Sequence, residues 1–497
     1  MPDQFPLPPG NTDSLPPLPP QPDLNLPPPA ETPPAPPNYT PPTPATTMPV
    51  VRPNLIKIII PIIVGLAVIS LVIFLLGKLF SKKNPGSTSQ TPVTTITYWG
   101  LWESPAIMRP VIEAFEKENP SIKVNYQMQS HQDYQDRLKT AISGTTPPDV
   151  TRLHSSWLPL FYQDLLPAPA NTVSTTELKT NFFPVAIDSV MIGDKIYGIP
   201  LTAEGLALFI NSDIYAQKNL QPPTTWYELR DNAKALTERD PNTGKISRSG
   251  VALGNTSNVA HWPDLVSLML LQNGVNLLSP EPDPTKEALG FYTSFAGPGK
   301  FWDETLPDSI IAFANEKVAM IFAPSWRISE ITTLNPQLKW QIAPVPQLPE
   351  TDKVNWASLW IETVPKNSKN PQAAWKFLSF LSSAKAQQLL YDQAVKDRGF
   401  SQVPANQAAS QVAEKHPLLG TFSQSLPSAK TFYTASLTHD AETALNSRLI
   451  KYLEDAVNSL SQSRGDADQA VQTLILGFNQ VLSQYNLVTA LPSPATP

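Results

Sequence analysis

Two stretches set an indole beside polar side chains just past the end of an expected strand. Trp102-Glu103 follows the β-rich run at 96–99, and His154, Ser155 and Trp157 follow an extended piece that includes Val150. Open α/β sheets bind ligands in the crevice outside the carboxyl ends of their strands. A flat aromatic face next to a carboxylate or imidazole suits a small guest with both apolar and polar surfaces. Trp157 serves such a guest or packs in a core, and both readings stay open. Trp99, inside the strand, is expected to face the core. The chain has eleven tryptophans to draw on.

Other chemistries lack their residues. With no cysteine in 497 residues, disulfide frameworks, zinc ribbons, iron–sulfur clusters, a thiol nucleophile and a thioether lipid anchor are all excluded. The five histidines (His131, His154, His261, His416, His439) show no HExxH spacing, and neither GxSxG nor GxxxxGK[ST] occurs. Glycoside hydrolysis would need two carboxylates roughly 5–9 Å apart across a cleft, and no motif nominates such a pair. Neither catalysis nor a cofactor is expected. Asp240-x-Asn242-x-Gly244 has the look of a calcium loop without its downstream carboxylate, so an ordinary turn is expected. A net charge of −6 without a basic cluster argues against nucleic acid as a partner.

The elements that must position these residues begin well into the chain. Residues 1–53 hold 21 of the 56 prolines and read as a disordered or polyproline II tail. Residues 58–76 are 19 residues without a charge, roughly 28 Å as a helix, which matches a bilayer core. The span 54–80 is therefore expected to be an uncleaved transmembrane helix, and 81–95 a polar linker. Arg52 and Lys57 before the apolar run against Lys78, Lys82 and Lys83 after it favour a cytoplasmic C-terminal side by a single charge.

Beyond the linker the periodicity alternates. Ser104-Pro105 opens a helix through Phe115 that stops at Asn119-Pro120; Ile122, Val124, Tyr126 and Met128 alternate as a strand; a second helix carries Tyr134, Leu138 and Ile142. This βαβ rhythm predicts a mostly parallel sheet covered by helices. Further strands are expected at 195–200 and 206–211, a capping box at Thr225–Glu228, helix then strand over 308–322, a strand through 360–364 and helices over 369–382 and 466–482.

The ordered series ITYWGLW, VIEAFEKENPSIKVNYQ, YQDRLKTAISGTTPPDV, KIYGIPLTAEGLALFINSDI, TTWYEL, FANEKVAMIFAPSW and VPKNSKNPQAAWKFLSFLSS resembles the extracellular solute-binding proteins of ABC importers. The sugar-type, maltodextrin-binding-like subgroup is the nearest, and the resemblance spans roughly 95–485. It implies a two-lobed α/β periplasmic-binding-protein-like fold with discontinuous lobes and a hinge. Lobe one would be 95–203 plus 355–425, and lobe two 204–350 plus 430–485.

The resemblance also implies ligand contacts. Glu204 matches a sugar-contacting carboxylate at the first hinge, and Trp326 an aromatic stacked on ligand. Trp356 or Trp360 near the second crossing, Trp262 with His261, and Tyr433 at the last crossing are further candidates, beside Trp102, Glu103, His154 and Trp157. The family acts outside the cytoplasmic membrane and hands its guest to an ABC permease. With no cysteine to lipidate, the apolar span would be the tether and the large C-terminal domain would be extracytoplasmic. An alternative is a membrane-tethered carbohydrate sensor or scaffold whose proline-rich tail docks a cytoplasmic partner.

Overall fold

The computed structural model describes residues 92–297, 299–461 and 466–489. The anticipated tail at 1–53, membrane helix at 54–80 and the linker up to residue 91 lie outside the described residues. Among those described, no helix is long and apolar enough to cross a membrane.

The chain enters through β1 (Thr94–Gly100), which pairs in parallel with β2 (Ile122–Met128) on one side and β3 (Val150–His154) on the other. Helices α1 (Pro105–Glu118) and α2 (Tyr134–Ser143) connect them. Ser104 caps α1 by accepting the Ile107 N–H at 3.3 Å, and Ile107, Met108, Val111 and Phe115 form its buried face. In β1 the core-facing parity belongs to Ile96 and Tyr98. Trp99 therefore points the other way, half-buried, its indole N–H donating to Gln127 at 3.1 Å, contrary to the expectation of a core residue.

The organising element is β4 (Gly198–Asn211), one continuous strand of 14 residues where the sequence suggests two pieces. Downstream come β5 (Ile246–Val251), β6 (Val318–Pro324), β7 (Trp340–Ala343) and β8 (Asn355–Thr363). The sheet order runs β2-β1-β3-β8-β4-β6-β5. Residues 198–205 of β4 pair with β8, and residues 206–210 pair with β6, so this single strand belongs to both halves of the sheet. Pro200, which has no N–H to give a ladder, sits next to the register shift between Trp360 and Ile361.

The expected mostly parallel sheet is thus mixed. The pairs β1–β2, β1–β3 and β5–β6 are parallel, whereas β3–β8, β8–β4, β4–β6 and β4–β7 are antiparallel. Alternating βα units build the outer strands, but β8 returns between β3 and β4 and lies antiparallel to both. Helices flank the halves. α3 (Trp226–Leu236) opens with the anticipated capping box, Thr225 Oγ1 accepting the Glu228 N–H at 3.2 Å while the Glu228 carboxylate accepts the Thr225 N–H at 3.2 Å. α4 (Trp262–Gln272) and α5 (Arg327–Leu334) follow in the second half. α6 (Pro371–Leu381) and α7 (Ala384–Arg398) return to pack on α1. The long C-terminal helices α8 (Leu445–Ser461) and α9 (Ala467–Gln484) pack on each other, and α8 also meets α4.

Candidate ligand-binding cleft

The loops at the carboxyl ends of β1 and β6 face a common space. Gly100 ends β1, and a Cβ there would lie 2.4 Å from the Tyr126 ring, so only glycine lets that ring close over the strand end. The Tyr126 hydroxyl then donates to the Glu103 carbonyl at 2.7 Å and pins the loop. Within it Trp102 takes a left-handed backbone (φ 69°), a conformation non-glycine residues hold only where surroundings enforce it. At the other end β6 runs into Pro324, and Ser325-Trp326 turn directly into α5.

Between them lies a cavity of about 510 Å³, within the range of roughly 300–1,000 Å³ usual for small-molecule sites. Trp102, Glu103, His154, Glu204, Trp326 and Trp360 of the sequence candidates line it, and Trp356 does too. Trp157, Trp262 and Tyr433 are not among the lining residues. Trp157 is buried and carries Trp360 edge-on at 5.4 Å between ring centroids, so it backs the cavity wall. Trp262 is buried at the start of α4, and its neighbour His261 reaches the cavity instead. Tyr433 is half-buried against Phe432, its hydroxyl pushed up to about 12 by burial, while Ser436, Leu437 and His439 a few residues on take the lining positions.

Aromatic walls stand on both sides. Trp102 is stacked on His131 (5.4 Å, 22°) and meets Trp360 edge-on at 5.6 Å. Opposite, the Arg327 guanidinium lies 4.2 Å above the Trp326 ring, and His261 meets that ring edge-on at 5.5 Å. Arg327 Nε–H donates to His261 Nε2 at 3.1 Å, and Asp264 accepts the Ser436 N–H at 2.9 Å.

Most charged groups here are already engaged. Arg152 is buried between Glu103 and Glu362, donating to Glu362 Oε1 at 2.6 Å, to Glu103 and to the Leu101 carbonyl at 2.7 Å. Burial pushes the Glu362 carboxyl up to about 7 against the opposing pull of Arg152. His154 is held neutral, its pKa driven by burial down to about 3. The Ser156 N–H donates to its Nδ1 at 3.2 Å, which places the proton on Nε2, facing Ser358 Oγ at 2.8 Å.

Glu204 differs. Ser325 Oγ–H donates to its Oε2 at 2.8 Å, but Oε1 is buried with no hydrogen-bond partner among the described residues. Burial pushes its pKa up to about 8. This leaves a buried carboxyl oxygen without a partner in a residue that lines the cavity, a group for a guest to satisfy by a hydrogen bond.

Sequence reading missed Arg152, Asp264, Arg327, Arg398, Phe400, Gln402 and His439 in the lining. Arg152 left a signal, a charge inside the apolar strand VTRLH. The others sit at helix ends or in loops that carry none. The calcium-like run at 240–244 is a turn, with Asp240 Oδ1 accepting the Asn242 and Thr243 N–H groups at 2.9 and 2.8 Å.

Two half-sheets sharing one strand, with an aromatic-walled cavity at their strand ends, define a two-lobed α/β binding protein. Residues 111–421 match the bacterial extracellular solute-binding protein family, and the chain belongs to it. A Brucella abortus (strain 2308) protein named for binding is 26% identical over 284 residues, 54% of this chain and 67% of that one. The multiple sugar-binding protein of Streptococcus mutans serotype c is 25% identical over 335 residues, 63% of this chain and 76% of that protein. The sugar-binding protein MalE of Xanthomonas citri shares the fold with a TM-score of 0.65, at 20% identity, over 79% of this chain and 98% of that one. A cyclo/maltodextrin-binding protein complexed with maltotetraose follows at 0.64 and 16% identity, with 79% and 98% covered.

Proposed function

We propose that this chain captures a carbohydrate outside the cell and delivers it to an ABC permease, tethered to the membrane by the apolar segment at 58–76. The observation that carries the reading is the convergence of Trp102, Trp326, Trp356 and Trp360 on the same cavity as the unpartnered Glu204 oxygen. Indole faces take up the C–H faces of a sugar, and Glu204, Ser358 and Thr202 address its hydroxyls. Trp326, Trp102 and Trp360 are the proposed stacking groups. Glu103, bound to Arg152, holds that guanidinium in the wall and contacts a guest only at its edge.

The cavity draws its lining from both half-sheets, and β4 runs through both. Hinge closure around a guest would bury it, and the differential affinity of closed and open states would report occupancy to a permease. Likeness to the multiple sugar-binding protein and to sugar-bound relatives supports the same ligand class. The engaged carboxylates and the neutral His154 suit binding without bond cleavage.

Native mass spectrometry of the full-length chain with an oligosaccharide pool tests this. Retention of a sugar at unchanged mass is expected; no retention, or a shortened product, refutes the reading. Protease treatment of intact cells should digest the large domain and spare residues 1–53; the reverse pattern refutes the topology. Deleting residues 2–50 should leave capture intact, and loss of signalling rather than uptake would turn the reading to the sensor with a tail-bound partner.

A further inference from the structure

Arg398 is the cavity-lining guanidinium that has no carboxylate bound to it. Arg152 is paired with Glu103 and Glu362, and Arg327 with Glu330. Arg398 Nε–H donates to the Phe400 carbonyl at 3.2 Å and Nη2–H to Gln402 Oε1 at 2.7 Å, and the group lies 4.9 Å from the Phe400 ring centroid. Among the described residues it forms no ion pair. These partners come from the turn after α7, where Gly399 takes a left-handed cap (φ 78°), so the guanidinium is pinned by its own neighbours and lines the cavity with them. Its remaining N–H donors match an oxygen anion in a two-pronged geometry.

We infer that the guest is a sugar bearing one anionic group, a carboxylate or a phosphate, and that Arg398 is the residue that selects it, with the unpartnered oxygen of Glu204 completing the anion's hydrogen bonds. The inference rests on the carbohydrate reading above. A neutral guest would shut an uncompensated cation away from water as the cleft closes, whereas an anionic one supplies the missing counter-charge. Glu204 is the carboxyl whose titration feels Arg398, the guanidinium opposing the rise in its pKa, but burial outweighs that pull and the two groups make no ion pair, Oε2 being bonded to Ser325. Burial keeps the Glu204 carboxyl protonated at neutral pH, so it donates to an anion instead of repelling it.

The test offers the full-length chain a mixture of length-matched neutral, uronic-acid and phosphorylated oligosaccharides, read by native mass spectrometry and then by calorimetry on the retained member. One acidic class should be retained roughly tenfold or more over the neutral one, as expected for charge-assisted hydrogen bonds, and which class survives distinguishes carboxylate from phosphate. Arg398→Gln should erase that preference while residual neutral binding persists, Arg398→Lys should keep part of it, and added salt should weaken it. Preference for neutral sugars, or an acidic preference that survives Arg398→Gln, overturns the inference and leaves carbohydrate capture standing. Retention of none of the three overturns both.

Discussion

The carboxyl of Glu204 ties the cleft to stability in a way that can be measured without a ligand. Its pKa rises from 4.5 to about 8 because burial disfavours the charged form, with the Ser325 hydrogen bond and the charge of Arg398 opposing. An unfolded chain releases this proton near 4.5 while the folded one keeps it, so between those pH values the folded state binds more protons. Stability must then fall as pH rises through this window and level off above 8. At about 1.4 kcal/mol for each pH unit the full span corresponds to about 5 kcal/mol. Water entering the open side of the cavity screens the group, which reduces the expected loss to about 1–3 kcal/mol. Glu204→Gln removes the titration and keeps the shape. Urea unfolding at pH 5, 6.5 and 8 should show the variant gaining on the parent protein progressively, by about 1–3 kcal/mol at pH 8 relative to pH 5. A difference between the two that stays constant across that range would refute the assignment of a buried, proton-holding carboxyl.

Other substitutions test the remaining walls. Trp326→Ala should weaken binding of the retained sugar by about 2–4 kcal/mol in calorimetry while the melting temperature moves little, since the indole is half-exposed; unchanged affinity removes it from the site. Arg152→Met strands Glu103 and Glu362 in the interior and should cost about 3–5 kcal/mol in urea unfolding. Adding Glu362→Gln should recover part of that loss, and a fully additive double variant would contradict the buried triad. Gly250→Ala would place its Cβ 2.2 Å from the Ala233 carbonyl oxygen of α3, so it should destabilise by about 1–3 kcal/mol with ligand affinity unchanged.

Local signals were legible where short-range physics decides. Ser104 and Pro105, the Thr225–Glu228 capping box and the Asp240 turn each satisfy backbone groups within four residues, and each stands as its sequence implies. Helix α8 gave no comparable start signal and was not anticipated, although its buried face of Leu445, Leu449, Leu453 and Val457 has helical spacing. The sequence suggests separate strands at 195–200 and 206–211, interrupted around Pro200 and Gly205, where the structure has one. Tertiary pairing overrides them, with Pro200 placed at a register shift and the ladder continuing to either side.

The amino-acid order alone determined the apolar run at 58–76, the proline-rich start, the βα rhythm and the likeness to solute-binding proteins, because each depends on composition, period or spacing along the chain. Which tryptophans face the cleft was decided only by the assembled sheet. Trp157 and Trp360 are both strand-end indoles in the sequence, yet one is entombed and the other lines the cavity, because β8 lies antiparallel on β3 with Trp360 opposite His154. Arg398 and Glu204 lie 194 positions apart in the sequence and share a wall of the same cavity, a juxtaposition that no spacing along the chain could reveal.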